Sequence, residues 1–118
     1  MIKELEWKEA LKIIDNNSED NLIFLEFTTK WCGDCKMMAP VINEISKKYE
    51  NNKNISFIKV DAEEAKLFRN PDTKWKVLRV PTHIVLKGQD VLEKGYEYYP
   101  REILESWIEK SILWDDKQ

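Results

Sequence analysis

No run of apolar residues in this 118-residue chain approaches the length of about 20 needed for a helix to cross a bilayer. Charge of one sign is also missing as a feature. The 19 Lys and Arg are interspersed with 22 Asp and Glu, giving a net charge of −3. No basic cluster with interleaved aromatics marks a nucleic-acid groove. Cysteine and histidine are scarce, at two and one. A four-ligand zinc site within one chain therefore has too few soft ligands to be expected. Repeats, low-complexity tracts and linkers are absent, so residues 1–118 read as one domain with a single hydrophobic core. Glu4 and Glu6 stand where a signal peptide would be apolar. The expected location is therefore the cytoplasm, where paired thiols tend to be catalytic or metal-binding. The alternative is an exported protein whose leader has been removed.

The pattern that remains alternates strands and helices. Ile2 to Leu5 suits a short edge strand. Trp7, Ala10, Leu11 and Ile14 fall on one face of a first helix, which Asn16-Asn17-Ser18 stops. Leu22 to Phe27 is apolar except for Glu26, as in a strand covered on both faces. A second helix is predicted from about Cys32 to Tyr49, with Met38, Val41, Ile42, Ile45 and Tyr49 as its core stripe and a kink at Pro40. Ile55 to Asp61 reads as a strand, Glu63 to Phe68 as a short helix, and Asn70-Pro71-Asp72 as a turn. Thr82 to Leu86 and Val91 to Tyr96 flank a four-residue hairpin loop. Pro100 opens a last helix carrying Leu104, Trp107, Ile108 and Ser111 on one face. Alternation first and a hairpin last predict an α/β fold, a mixed sheet with helices on both faces.

Both cysteines lie in Trp31-Cys32-Gly33-Asp34-Cys35, after an apolar strand and before a helical pattern. On a helix, residues three apart share a face, and two thiols so placed can close a disulfide with little backbone movement. One thiol attacks a partner's disulfide, and the other resolves the mixed disulfide and releases the partner reduced. That exchange needs both thiols and no cofactor. Cys32 is expected at the helix N-terminus, where unpaired amides favour an anion by about 0.3–1 kcal/mol, up to about 2 in partly buried geometry. Lys36 and Lys30 push the same way. Cys35, one turn in, is expected to be more buried and to stay protonated until needed.

Trp-Cys-Gly-X-Cys-Lys, Pro40 four residues after Lys36, Val60-Asp61 closing the next strand, and Val80-Pro81-Thr82 before another together resemble the thioredoxin family over about residues 2–113. Trp31 and Val80-Pro81-Thr82 favour it over the glutaredoxins. The resemblance implies a thioredoxin fold, with a central mixed sheet of four to five strands. It also implies a thiol–disulfide oxidoreductase that reduces protein disulfides through a redox-active Cys32–Cys35 disulfide, with no other cofactor and no metal. Cys32 would attack, Cys35 would resolve, and Glu26 would take the proton of Cys35. Pro81 would be cis beside the disulfide, exposing the backbone of Val80 to pair with an extended partner segment. Trp31, Gly33, Asp34, Val80 and Gly95 would form the docking surface. The implied partners are disulfide-containing proteins and a thioredoxin-reductase-type electron donor, with no nucleic acid and no membrane. The chain would act as a monomer.

Several positions depart from that family. Asp34 replaces the usual proline; its carboxylate opposes a Cys32 thiolate but suits the first turn of a helix. Glu26 stands where an aspartate is usual. As the only charge in its strand it is taken as functional, the plain alternative being a side chain pointing to solvent. The lysine common near that carboxylate aligns with Phe57, so its charge is expected to be missing. His83 follows Pro81 by two and shares its side of the sheet. A packed core histidine is the first expectation, an approach to Glu26 the second. Thr28 and Thr29 replace the common Trp-Ala. The stretch between Asp61 and Pro81 is several residues longer than in compact members, and it either flanks the site or is a neutral insertion. Trp7, Trp75 and Trp107 read as core, Trp114 as packing for the last helix, and Met37-Met38 as helix packing. Competing readings are a non-enzymatic binding or redox-sensing module and a dimer pooling its cysteines around zinc or an iron–sulfur cluster. A Cys–His hydrolase is weaker, because no third orienting group can be assigned.

Overall fold

A computed structural model describes residues 2–114. In chain order the elements are β1 (Lys3–Glu4), α1 (Trp7–Asp15), β2 (Leu22–Thr28), α2 (Gly33–Lys48), β3 (Ile55–Asp61), β4 (Thr82–Lys87), β5 (Asp90–Tyr96) and α3 (Arg101–Ile112). They form one five-stranded sheet in the order β1-β3-β2-β4-β5. β1 and β2 run parallel to β3, β4 runs antiparallel to β2, and β5 antiparallel to β4. This is the thioredoxin-type mixed sheet that the sequence predicts.

The apolar run of β2 places it at the centre, and the period of two divides its side chains between two cores. Ile23, Leu25 and Phe27 pack with Ala10 and Ile14 of α1, while Leu22 and Phe24 pack with Met38, Ile42 and Ile45 of α2 and Leu104, Trp107 and Ile108 of α3. Burying each such side chain contributes about 1.5–3 kcal/mol. Glu26 has the parity of Leu22 and Phe24, so it faces the α2–α3 side.

Three local expectations are corrected. Glu63 to Phe68 forms a series of turns, with no helix. The Asp61 carboxylate accepts the N–H groups of Glu63 and Glu64 and starts a turn, but Lys66 then enters the left-handed region at φ 60°. The amides of Leu67 and Phe68 both close on the Ala62 carbonyl. The hairpin loop is two residues, Gly88 and Gln89, because Lys87 and Asp90 still pair. Gly88 supplies the positive φ (59°) such a tight loop needs. α2 holds Pro40 inside it, as the sequence predicts. Met37 and Trp114 are 63% and 49% exposed, so only Met38 of the methionine pair is core. Trp75 and Trp107 are buried, and Trp7 packs edge-on to Trp75 at 5.8 Å.

Candidate active site

The carboxyl end of β2 delivers the chain to the N-terminus of α2, where Cys32 is the N-cap. The Cys35 amide donates to Cys32 Sγ at 3.0 Å, so the sulfur takes the place of the usual capping oxygen. Cys32 and Cys35 are joined as a disulfide, with Cα atoms 5.2 Å apart. Both are buried, Cys32 at 4% and Cys35 at 8% exposure, which corrects the expectation that Cys35 lies deeper. One turn of helix carries both sulfurs, and the first turn also contains Asp34. Lys30 is tied to Glu64 at 3.1 Å on the surface, so its charge is shared with that carboxylate.

Around the disulfide the structure brings together most of the expected residues. The Val80–Pro81 bond is cis, and Val80 belongs to the same buried cluster as Cys32 and Cys35. Trp31 is 57% exposed beside the disulfide. Its indole N–H donates to Glu63 Oε1 at 2.7 Å, and Phe68 stands edge-on to its ring at 5.4 Å. The long stretch after Asp61 therefore flanks the site. Gly33 has open space around its α-carbon. Gly95 does not: a Cβ there would meet the Tyr99 hydroxyl at 2.3 Å, so its missing side chain makes room for that ring.

Behind the disulfide, Glu26 is 3% exposed, and it lines a cleft of about 240 Å³ together with Cys35, Lys36, Thr29, Asn43 and Lys59. Glu26 therefore does not point to solvent. The Thr29 hydroxyl is buried and has no hydrogen-bond partner among the described residues. His83, fully buried, places Nδ1 2.5 Å from Glu26 Oε1. The second expectation for His83 is thus the observed one. Burial pushes the Glu26 carboxyl up, and the charge and hydrogen bond of His83 and the charge of Lys59 offset only part of this. Burial alone would push His83 down, but the charge and hydrogen bonds of Glu26 and the Glu97 carbonyl outweigh it, and His83 is raised.

The sequence reading missed three contributors. Lys59 lies directly across from Glu26 in the β2–β3 register, so a positive charge is present on this face, contrary to the expectation from Phe57. Phe57 instead stacks on Phe24 at 5.3 Å. The signal was the parity of residues 57, 59 and 61 in a strand. Glu63 and Phe68, which fix Trp31, carry no local signal because the turns that aim them are set by Asp61 and Lys66. Among the described residues no group of three or more His, Cys, Asp or Glu side chains comes together to hold a metal.

The family model described as Thioredoxin matches residues 2–110. A thioredoxin of Mycoplasmopsis pulmonis is 38% identical over 104 residues, covering 87% of this chain and 92% of that one. A thioredoxin of Staphylococcus saprophyticus is 36% identical over 108 residues, covering 86% and 97%. Among solved structures, a Plasmodium falciparum thioredoxin superposes with a TM-score of 0.72 at 30% identity, covering 92% of this chain and 98% of that one. A Nicotiana alata thioredoxin superposes with a TM-score of 0.74 at 29% identity, covering 93% of each.

Proposed function

The chain belongs to the thioredoxin family, and on that premise we propose how its site divides the work of disulfide reduction. It is a thiol–disulfide oxidoreductase of the protein-disulfide reductase type, acting on disulfide-bearing proteins and recharged by a reductase. The observation that carries this is the Cys32–Cys35 disulfide capping α2 beside an exposed Trp31.

Cys32 is the attacking thiol because it sits at the helix N-terminus, where the aligned backbone amides favour the thiolate. Cys35, held one turn along, resolves the mixed disulfide. Glu26 takes the Cys35 proton; it borders the same cleft and burial raises its affinity for a proton. Trp31, Gly33, Asp34 and the backbone at Val80 and Pro81 receive an extended segment of the partner around its disulfide, with main-chain bonds giving loose specificity. Gly95 keeps a place at the rim only through Tyr99, whose ring it admits. The electron donor is of the thioredoxin-reductase type. The place of work is the cytoplasm, where a reductant is kept reduced. The protein acts as a monomer with no cofactor beyond its own disulfide, since one chain supplies both thiols and the proton acceptor.

A redox titration of the purified protein against a dithiothreitol couple, followed by tryptophan fluorescence, tests this. The expected result is a reversible two-electron transition more reducing than about −250 mV, a range for which thioredoxins are themselves the reference case. A midpoint between about −180 and −120 mV would make the protein an oxidant or isomerase and remove the cytoplasmic assignment.

A further inference from the structure

Glu26 and His83 sit opposite each other in the β2–β4 register, on the sheet face that also carries Lys59. The imidazole is held at both nitrogens. Nε2 lies 2.7 Å from the Glu97 carbonyl oxygen, and Nδ1 lies 2.5 Å from Glu26 Oε1. A carbonyl oxygen only accepts, so Nε2 must carry a hydrogen. Two arrangements remain for the other bond. Either a neutral carboxyl donates to Nδ1, or an imidazolium donates to the carboxylate. Both hold one proton between the two side chains. Losing it would set a carboxylate against a lone pair in a buried site.

The ring is fully enclosed. Tyr99 stands edge-on to it at 5.8 Å, in the space that Gly95, the β5 neighbour of His83, leaves open. Glu97 turns its carbonyl inward from a left-handed backbone (φ 70°), and its amide donates to the Pro81 carbonyl at 2.8 Å. Its own carboxylate points away, to Arg79 at 3.0 Å.

We propose that His83 is a positioning residue for the proton transfer. Anchored on Glu97, it keeps one proton within the Glu26–His83 pair and leaves the carboxylate able to take a second, from Cys35. This rests on Glu26 being the acceptor. In the step, Cys35 attacks Cys32 Sγ within the mixed disulfide. The Cys35–Cys32 bond forms and the bond from Cys32 to the partner's sulfur breaks. The electron pair leaves with the partner's thiolate, and the Cys35 proton passes across the cleft to Glu26. The pair then holds two protons and returns one to solvent or to the thiolate.

Other charges face the pair from each neighbouring element. β3 presents Lys59, which is 3.5 Å from Glu4 of β1, and Asp61. The start of α2 and the turn before it present Lys36, Cys35 and Lys30. None of them touches the imidazole. Both members of the pair are raised, and they titrate as a unit. The second proton binds above the ordinary carboxylate range, and the first is lost above the ordinary imidazole range.

The test is single-turnover reduction of a disulfide-bonded protein by the reduced full-length chain from pH 5.5 to 9. In Glu26→Gln the rate is expected to fall, and of its acid limb only the Cys32 ionisation to remain, the Glu26 limb being lost. In His83→Gln the limb is expected to move up by about one pH unit, a tenfold loss near pH 6 that recovers to within twofold at pH 9. The double variant is expected to match Glu26→Gln alone, because His83 acts only through the acid. A wild-type profile in Glu26→Gln would overturn the acceptor role and this inference with it. Loss of the Glu26 limb there, with an unmoved limb in His83→Gln, would overturn this inference alone. So would a double variant tenfold slower than Glu26→Gln, which would mean that His83 acts by packing. Nitrogen NMR of the wild-type ring gives an independent reading: Nε2 must remain protonated from pH 5.5 to 9, and a proton resident on Nδ1 alone would sink the proposal.

Discussion

At the scale of single residues, the chemistry of this site was written most plainly in Trp31, Cys32, Cys35 and Glu26. Each is a residue type whose presence in its surroundings needs a reason: two lone thiols at helical spacing, and one charge in an apolar strand. His83 was legible only as a parity argument, since a strand places residue 83 on the face of residue 81 but does not say what lies across from it. Lys59 was legible only as sharing the face of Phe57, because its meeting with Glu26 is decided by the β2–β3 register. Asp34 gives the sharpest residue-scale prediction. It shares the first turn of α2 with the Cys32 cap, and its carboxylate opposes the thiolate there. In Asp34→Asn the pH of half-maximal reaction of Cys32 with a thiol reagent should move down, by a fraction of a unit. Equal midpoints in the two proteins would show that solvent screens the carboxylate fully.

At the scale of elements, hydrophobic periodicity located α1, α2, α3 and the long strands, because each buries one face or two. It failed from Glu63 to Phe68, where charged residues at helical spacing gave a helical look to a chain that turns back on itself. Three of the four non-glycine residues with positive φ among the described residues, Lys66, Arg69 and Lys76, fall in the stretch between Asp61 and Pro81. No side-chain pattern advertises that conformation. The end of α3 is likewise closed by a residue distant in sequence. The Lys87 ammonium donates to the carbonyls of Ser111, Ile112 and Trp114 at 3.1, 3.4 and 2.8 Å, and so caps the last turn from β4. Lys87→Met keeps the stem and loses the cap. Urea unfolding should show a loss of about 1–2 kcal/mol, with faster amide exchange confined to the last turn of α3. Unchanged exchange there would reduce Lys87 to a surface charge.

At the scale of the whole molecule, the buried pair makes stability depend on pH in a definite direction. Folding raises Glu26 above its ordinary 4.5 and His83 above its ordinary 6.5. For each, the folded state keeps a proton that the unfolded chain has already released. The contribution of His83 is therefore complete below about 6.5 and lost as pH rises through its folded midpoint. Glu26 likewise weakens the fold progressively as pH rises above about 4.5. Relative to Glu26→Leu/His83→Leu, the wild type should lose stability between about pH 5 and 8, read from urea midpoints. The double variant should be at least as stable at pH 8, since an apolar pair of similar volume avoids the desolvation cost. A parallel pH dependence in both proteins would assign the slope to other groups. The order β1-β3-β2-β4-β5 has a last consequence, for synthesis. Glu26 and His83 are 57 residues apart, an interval of roughly 3–11 s on a translating ribosome. In the later part of that interval, once β3 has followed at Ile55–Asp61, β2 has β3 on one side and a bare, apolar edge on the other. A nascent chain paused before Thr82 thus offers an unpaired strand and an acid without its base, the kind of surface that a holding chaperone binds until β4 arrives.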